Sequence, residues 1–186
     1  MSNFREDIMK KMYYKDWYKI WVRNFALNLH NIWNEKSAKS LMSNNSSTAI
    51  VIGKGPSAKK HNHFNLLAES DFKGTIVCTD GALITALKSG ITPEKFPKFF
   101  VVTIDPKEEI QRYYDDPIVS KFGKKINGVF STVTDPHVIK KAKDASINLH
   151  WIHPLFDFEE GEKSFNNISA LMVRSKNHTD GLPAIQ

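Results

Sequence analysis

Three apolar segments of the sequence each end on residues that could bind a ligand. The first runs into the glycine turn, residues 53–57, the second ends at residues 79–81, and the third ends at Asp105-Pro106. Glycine has no Cβ, so this turn exposes backbone N–H groups that can hold an anion such as a phosphate. The carboxylates of the other two segments follow predicted strands, where open α/β sheets bind ligands. In full, these candidate residues are Gly53, Lys54, Gly55, Pro56, Ser57, Thr79, Asp80, Gly81 and Asp105.

Each of these motifs also has a purely structural interpretation. The glycine turn lacks the third glycine of the dinucleotide fingerprint, because position 58 is Ala58, and no Gly-Lys-Ser/Thr of a P-loop follows. It could therefore be only a tight connection between a strand and a helix. Asp105 could cap a helix over residues 107–114. The pair His61 and His63 has no third ligand beside it and is typical of a surface.

The elements that position these residues alternate between strands and helices. Apolar segments predict strands at 49–52, 74–79, 99–104, 128–132 and 147–152, with helices between them. The segment 49–52 has no polar alternation, which predicts a central strand covered on both faces. The sequence therefore predicts an α/β fold, a Rossmann-like, open and mostly parallel sheet with flanking helices.

An N-terminal helical arm precedes this sheet. Aromatic and apolar residues recur at helical spacing, so one face is apolar, and the opposite face carries Lys15, Lys19, Arg23 and Asn24. This divides the chain into an arm with its linker at 1–45 and an α/β domain at 46–186. The apolar face is expected to pack on the domain or on a second copy in a homo-oligomer. Residues 177–186 lead towards a further helix, which predicts that the domain is truncated at its C-terminus.

Composition sets the broad class of protein. The 186 residues are 41% hydrophobic and 25% charged, as in globular proteins, with a net charge of +6. No nucleic-acid motif is visible among the lysines, which are dispersed as on solvated faces, so we expect no nucleic-acid partner. The single cysteine, Cys78, excludes an intramolecular disulfide. Without a membrane span or a signal peptide, we expect a cytoplasmic protein.

The three strand ends, in this order and spacing, resemble the domain shared by archaeal 6-hydroxymethylpterin diphosphokinase MptE-like proteins and bacterial motility accessory factors. Residues 89–93 and 24–28 are similar to two further segments of that family, and the resemblance covers roughly residues 20–186. It implies a Rossmann-like fold that is distantly similar to bacterial sialyltransferases. In those enzymes, a Gly-x-Gly-Pro-Ser turn holds the nucleotide of a CMP-sugar.

This resemblance implies a nucleotide-dependent transferase, with sugar transfer from a CMP-nonulosonate type donor as the first hypothesis. The glycine turn would hold the nucleotide phosphate, and Asp80 and Asp105 would contact ribose, base or sugar hydroxyls. His153 or His178 would be the general base. Residues similar to a later Thr-Ser-Gly segment of the sialyltransferases would complete the site; they are Thr179, Asp180 and Gly181.

The first alternative is a diphosphokinase that transfers diphosphate from ATP to 6-hydroxymethyl-dihydropterin, with Mg²⁺ held by Asp80 and Asp105. The diphosphokinase branch typically has Thr-Asp-Leu-Asp-Gly at the third strand, whereas this chain has Thr103-Ile104-Asp105-Pro106, which favours the motility accessory branch. The second alternative is a non-catalytic nucleotide-binding or assembly module.

Overall fold

A computed structural model describes residues 17–42 and 48–153 of the chain. Helices and parallel strands alternate through these ranges, as the sequence predicts. The α-helices are Tyr18–Asn34 (α1), Pro56–Lys60 (α2), His63–Glu69 (α3), Asp80–Lys88 (α4), Pro117–Phe122 (α5) and Pro136–Asp144 (α6). The strands are Lys36–Ser37 (β1), Ala49–Ile52 (β2), Thr75–Thr79 (β3), Phe99–Thr103 (β4), Asn127–Ser131 (β5) and Asn148–Ile152 (β6). Short 3₁₀ helices occupy Ala38–Leu41, Glu108–Tyr113 and Gly123–Lys125.

The strands form one parallel sheet in the order β1-β6-β5-β4-β3-β2, which confirms the predicted Rossmann-like α/β fold. From β2 to β6 each strand lies beside its predecessor in the chain. Right-handed crossovers that all step in one direction place their helices on the same face of the sheet. Because the strands are parallel, their carboxyl ends share one edge, and the ends of β2, β3 and β4 are neighbours there.

The core lies between the sheet and these helices. Alternate residues of the central strands, including Ile76, Phe99 and Phe130, are fully buried. They pack with apolar residues of α4 such as Leu83 and of α6 such as Ile139. Each such side chain contributes about 1.5–3 kcal/mol through burial. This layer fixes the strand ends that carry the candidate residues.

The prediction that residues 49–52 form a central strand is wrong for the described sheet, because β2 lies at its edge. Among the described strands β2 pairs with β3 alone. Val51 is 71% exposed, while Ile52 is buried. A run of apolar β-branched residues fixes the extended conformation, but it carries no information on how many strands flank it.

Helix α1 buries a wider part of its surface than the sequence pattern predicts, because a polar residue is buried beside its apolar residues. Phe25 and Ile32 are buried as expected, but Asn24 is fully buried too, so its placement on the exposed face was wrong. The helix ends at Asn34, and β1 immediately pairs with β6. The chain therefore enters the sheet directly after the helix.

No helix in residues 17–42 and 48–153 combines the length and the apolar character that a membrane crossing requires.

Candidate functional site

The glycine turn connects β2 to α2 and is open to solvent. Gly53, Lys54, Gly55 and Ser57 are all exposed. A Cβ built on Gly53 would meet no atom within 4 Å, and one on Gly55 would meet only Ser57 Oγ at 3.6 Å. The protein itself therefore leaves the backbone of this turn accessible to a ligand. Pro56 is the first residue of α2, as predicted.

Asp80 follows β3 in the first turn of α4, beside the glycine turn. Its Oδ1 accepts a hydrogen bond from Gly81 N at 2.5 Å, and the carboxylate also bonds the side chain of Thr103. Burial, and secondarily the negative charge of Asp105, raise the pKa of Asp80 despite these hydrogen bonds. Thr103 is in turn 2.5 Å from the hydroxyl of buried Tyr114. The Asp80 carboxylate is thus linked through Thr103 of β4 to the buried hydroxyl of Tyr114.

Asp105 follows β4 and does not cap a helix, because the N-cap residue of the following 3₁₀ helix is Lys107 and that helix has no side-chain cap; Asp105 instead closes an Asx turn. Its Oδ1 accepts from Lys107 N at 3.0 Å, just before the 3₁₀ helix Glu108–Tyr113, which replaces the expected helix 107–114. Its charge also acts on Asp80, so two carboxylates lie near one another at neighbouring strand ends. Such a pair fits Mg²⁺, which is commonly held by one or two carboxylates together with water and phosphate oxygens. The described ranges contain no group of three or more His, Cys, Asp or Glu that could hold a metal ion.

Two residues of this region, Arg112 and Tyr113, were missed by sequence reasoning. Lys54 extends from the glycine turn across Gly81, where an added Cβ would lie 2.7 Å from Lys54 Cδ. Its Nζ donates to the Tyr113 hydroxyl at 2.5 Å, and Arg112 Nη2 donates to the same oxygen at 3.0 Å. These two hydrogen bonds lower the pKa of Tyr113. The only sequence signal was an arginine-tyrosine pair close to a predicted ligand-binding strand end.

Thr79, the last residue of β3, is adjacent to Asp80. Its Oγ1 is buried and has no hydrogen-bond partner within the described part of the chain. A hydroxyl buried in this way is costly unless something satisfies it. Its position at the strand end is the one predicted from the sequence.

Helix α1 holds the loops after β4 and β5 through two asparagines. Asn24 Nδ2 donates to the carbonyls of Pro106 at 2.8 Å and Val133 at 2.9 Å. Asn28, one turn later, donates to the carbonyls of Thr132 at 3.2 Å and Thr134 at 2.7 Å. Because Pro106 follows Asp105, this asparagine clamp, Asn24 and Asn28, ties the candidate site to α1.

His153 lies immediately after β6 and is buried, with 3% of its surface exposed. Its Nδ1 is 2.6 Å from Thr132 Oγ1, and its ring packs against Phe25 with centroids 5.6 Å apart. Burial lowers its pKa to about 4, so the imidazole is neutral at pH 7. The other predicted histidine, His178, and the segment 179–181 lie outside the described residues.

The buried imidazole predicts a specific pH dependence of stability. Its folded pKa, about 4, is below the ordinary pKa of a histidine, 6.5, so the unfolded chain binds the proton first as the pH falls. Its contribution is therefore complete above pH 6.5 and is lost towards pH 4, by about 2–3 kcal/mol. Urea unfolding at pH 7 and pH 4.5 should show a smaller loss for His153→Gln than for the unmodified protein. Equal losses in the two proteins would contradict this assignment.

The fold and this edge define a class: a parallel α/β domain whose neighbouring strand ends present an open glycine turn and two carboxylates. A sequence model of the family described as 6-hydroxymethylpterin diphosphokinase MptE-like matches residues 23–178. Because this match spans most of the chain, the chain belongs to the MptE-like family, as the strand-end motifs indicated. Searches of curated proteins and of solved structures gave no significant match.

Proposed function

We propose that this chain is a nucleotide-dependent transferase domain that holds a nucleotide phosphate at the glycine turn. The observation that carries the proposal is the juxtaposition of an open, Cβ-free turn with Asp80 at the adjacent strand end. Membership of the MptE-like family supports a transferase of this kind, because the family's description names a diphosphokinase.

Each group at the strand ends has a defined role in this proposal. Backbone N–H groups of the turn bind phosphate oxygens, and Lys54 adds a positive charge. Fixed donors of this kind stabilise negative charge that develops on the leaving group without rearranging. Asp80 and Asp105 accept from ribose or sugar hydroxyls, or they hold Mg²⁺. A bound Mg²⁺ would neutralise phosphate charge.

Two classes of donor are compatible with this proposal, and each requires different chemistry from the residues of the site. Sugar transfer from a CMP-nonulosonate type donor requires a general base for the acceptor hydroxyl. His153 provides little support for that role, because it is buried and its lowered pKa makes it a weak base. Diphosphate transfer from ATP to 6-hydroxymethyl-dihydropterin is favoured by the carboxylate pair, which suits a metal-chelated triphosphate.

Two substitutions of Asp105 separate a role in ligand binding from its turn-forming hydrogen bond with Lys107 N. Asp105→Asn keeps an oxygen that can accept from Lys107 N, whereas Asp105→Ala removes it. If the charge serves the ligand, both variants should lose at least about tenfold in affinity for nucleotide, a difference of about 1.4 kcal/mol. Calorimetric titration with CMP and with Mg-ATP measures this loss, and thermal unfolding reports the fold. Unchanged affinity in Asp105→Asn together with loss in Asp105→Ala would assign Asp105 to forming the turn alone.

The assay of the reaction itself uses the full chain with each donor. Release of CMP from a CMP-sugar would identify sugar transfer, and release of AMP from ATP in the presence of the pterin would identify diphosphate transfer. Binding of nucleotide without turnover of either donor would identify a non-catalytic module. The cytoplasmic location and a homo-oligomer formed through α1 remain predictions from the sequence.

A further inference from the structure

Three polar side chains from two separate segments of the chain converge beside the glycine turn. Lys54 belongs to the turn itself, while Arg112 and Tyr113 belong to the 3₁₀ helix after β4. The ammonium and the guanidinium both donate to the Tyr113 oxygen, and both also lie over its ring, at 4.4 Å and 5.0 Å from the centroid. We call these three residues the donor cluster.

The charges of the donor cluster are not neutralised by ion pairs. Neither Lys54 nor Arg112 forms a salt bridge with a carboxylate in the part of the chain that the structure describes. Other exposed cations do so, for example Lys88 with Asp116 at 2.7 Å and Lys141 with Asp115 at 2.8 Å. Two carboxylates still act on these charges without forming an ion pair with them: Asp80 on Lys54 and Glu109 on Arg112. Two like charges are thus held close together around the Tyr113 oxygen.

The tyrosine completes the donor character of this cluster. A phenol oxygen that accepts from two cations retains its own O–H as a donor. For that O–H the described residues supply no acceptor. An ammonium, a guanidinium and a hydroxyl therefore share one region, and this combination recognises the oxygens of a phosphate.

We propose that the donor cluster is a second anion site, which binds the phosphate next to the one held by the glycine turn. The ligand is then a nucleoside di- or triphosphate, or another diphosphate ester, rather than a nucleoside monophosphate. This inference rests on the proposed function, since it assumes that the glycine turn holds the first phosphate. Arg112 lies on a separate element and supplies positive charge. It therefore distinguishes ligands by their number of phosphates and not by their base.

Calorimetric titration of the full chain at low salt tests the cluster, with CMP, CDP and inorganic diphosphate as ligands. The test variants are Arg112→Gln and Tyr113→Phe. The control is Lys121→Gln. Lys121 is a cation on α5, the helix before β5, and its Nζ lies 5.1 Å from the centroid of the Phe122 ring. We expect CDP to bind about tenfold more tightly than CMP, and Arg112→Gln to remove most of that difference while CMP affinity stays unchanged. Tyr113→Phe should reduce the difference by a smaller factor, and Lys121→Gln should leave it intact.

The possible outcomes separate this inference from the function on which it rests. Equal affinity for CMP and CDP, or the same loss in Lys121→Gln as in Arg112→Gln, would overturn the second anion site while leaving nucleotide binding in place. Inorganic diphosphate that binds in an Arg112-dependent manner, with no binding of any nucleotide, would support the anion site and overturn the proposed function. The absence of binding by all three ligands would overturn both.

Discussion

Gly55→Val should weaken nucleotide binding about a hundredfold while leaving the protein folded. Gly55 has a φ of −66°, which any residue adopts, and a Cβ there would meet only Ser57 Oγ at 3.6 Å. The protein can therefore accommodate valine, but a phosphate lying against the turn cannot approach past its methyl groups. We expect nucleotide affinity to fall about a hundredfold, or about 2.7 kcal/mol, with a change in unfolding free energy below about 1 kcal/mol.

Gly55→Ala is the graded control for this substitution. Its single methyl group should lower the affinity less than the valine does, and thermal unfolding of both variants should remain close to that of the unmodified protein. A valine variant that binds nucleotide normally would show that the turn only connects β2 to α2. Lost binding with lost stability would instead point to a change in the fold.

Asn24→Leu should destabilise the protein by about 2–4 kcal/mol, because it leaves two buried carbonyls without donors. Those carbonyls belong to Pro106 and Val133, in the loops that follow β4 and β5. Leucine is similar in size, so the loss arises from the missing amide rather than from a cavity. Urea unfolding at pH 7 measures the change.

Asn28→Leu is the matched comparison one helical turn away. It also removes two hydrogen bonds to backbone carbonyls, but Asn28 Oδ1 is itself buried without a partner in the described part of the chain. Removing that unsatisfied acceptor offsets part of the loss, so Asn28→Leu should cost about 1 kcal/mol less than Asn24→Leu. A larger cost for Asn28→Leu than for Asn24→Leu would contradict this account of the asparagine clamp.

The sequence predicted the fold class and the location of the strand ends because both depend on local patterns. Short apolar, β-branched segments followed by glycine, aspartate or proline fix where a strand stops, and parallel strands then bring these ends to one edge. The same pattern could not place β2 at the edge of the described sheet. Strand order is set by packing between segments that are distant in the chain. An apolar residue such as Val51 is compatible with a central strand and with an edge strand.

The residues that were misplaced or missed depend on long-range contacts. Asn24 was assigned to the exposed face because it is polar, yet its amide bonds a carbonyl 109 residues away. Arg112 and Tyr113 became site residues because Lys54, 59 positions before Tyr113, extends across Gly81 to reach the tyrosine. Asn24 and Asn28 are spaced one helical turn apart, but that spacing does not indicate which carbonyls they bind, and Arg112 and Tyr113 leave no periodic signal in the sequence.

The central claim is that the glycine turn holds a nucleotide phosphate, and calorimetric titration of the full chain with CMP and with ATP tests it most directly. Each nucleotide is titrated with and without Mg²⁺, and the Gly55→Val variant is titrated in parallel. We expect saturable binding at one site that is tighter for ATP than for CMP, is strengthened by Mg²⁺ for ATP, and is about a hundredfold weaker in Gly55→Val. The absence of binding by both nucleotides, or equal binding by the unmodified protein and Gly55→Val, would contradict it.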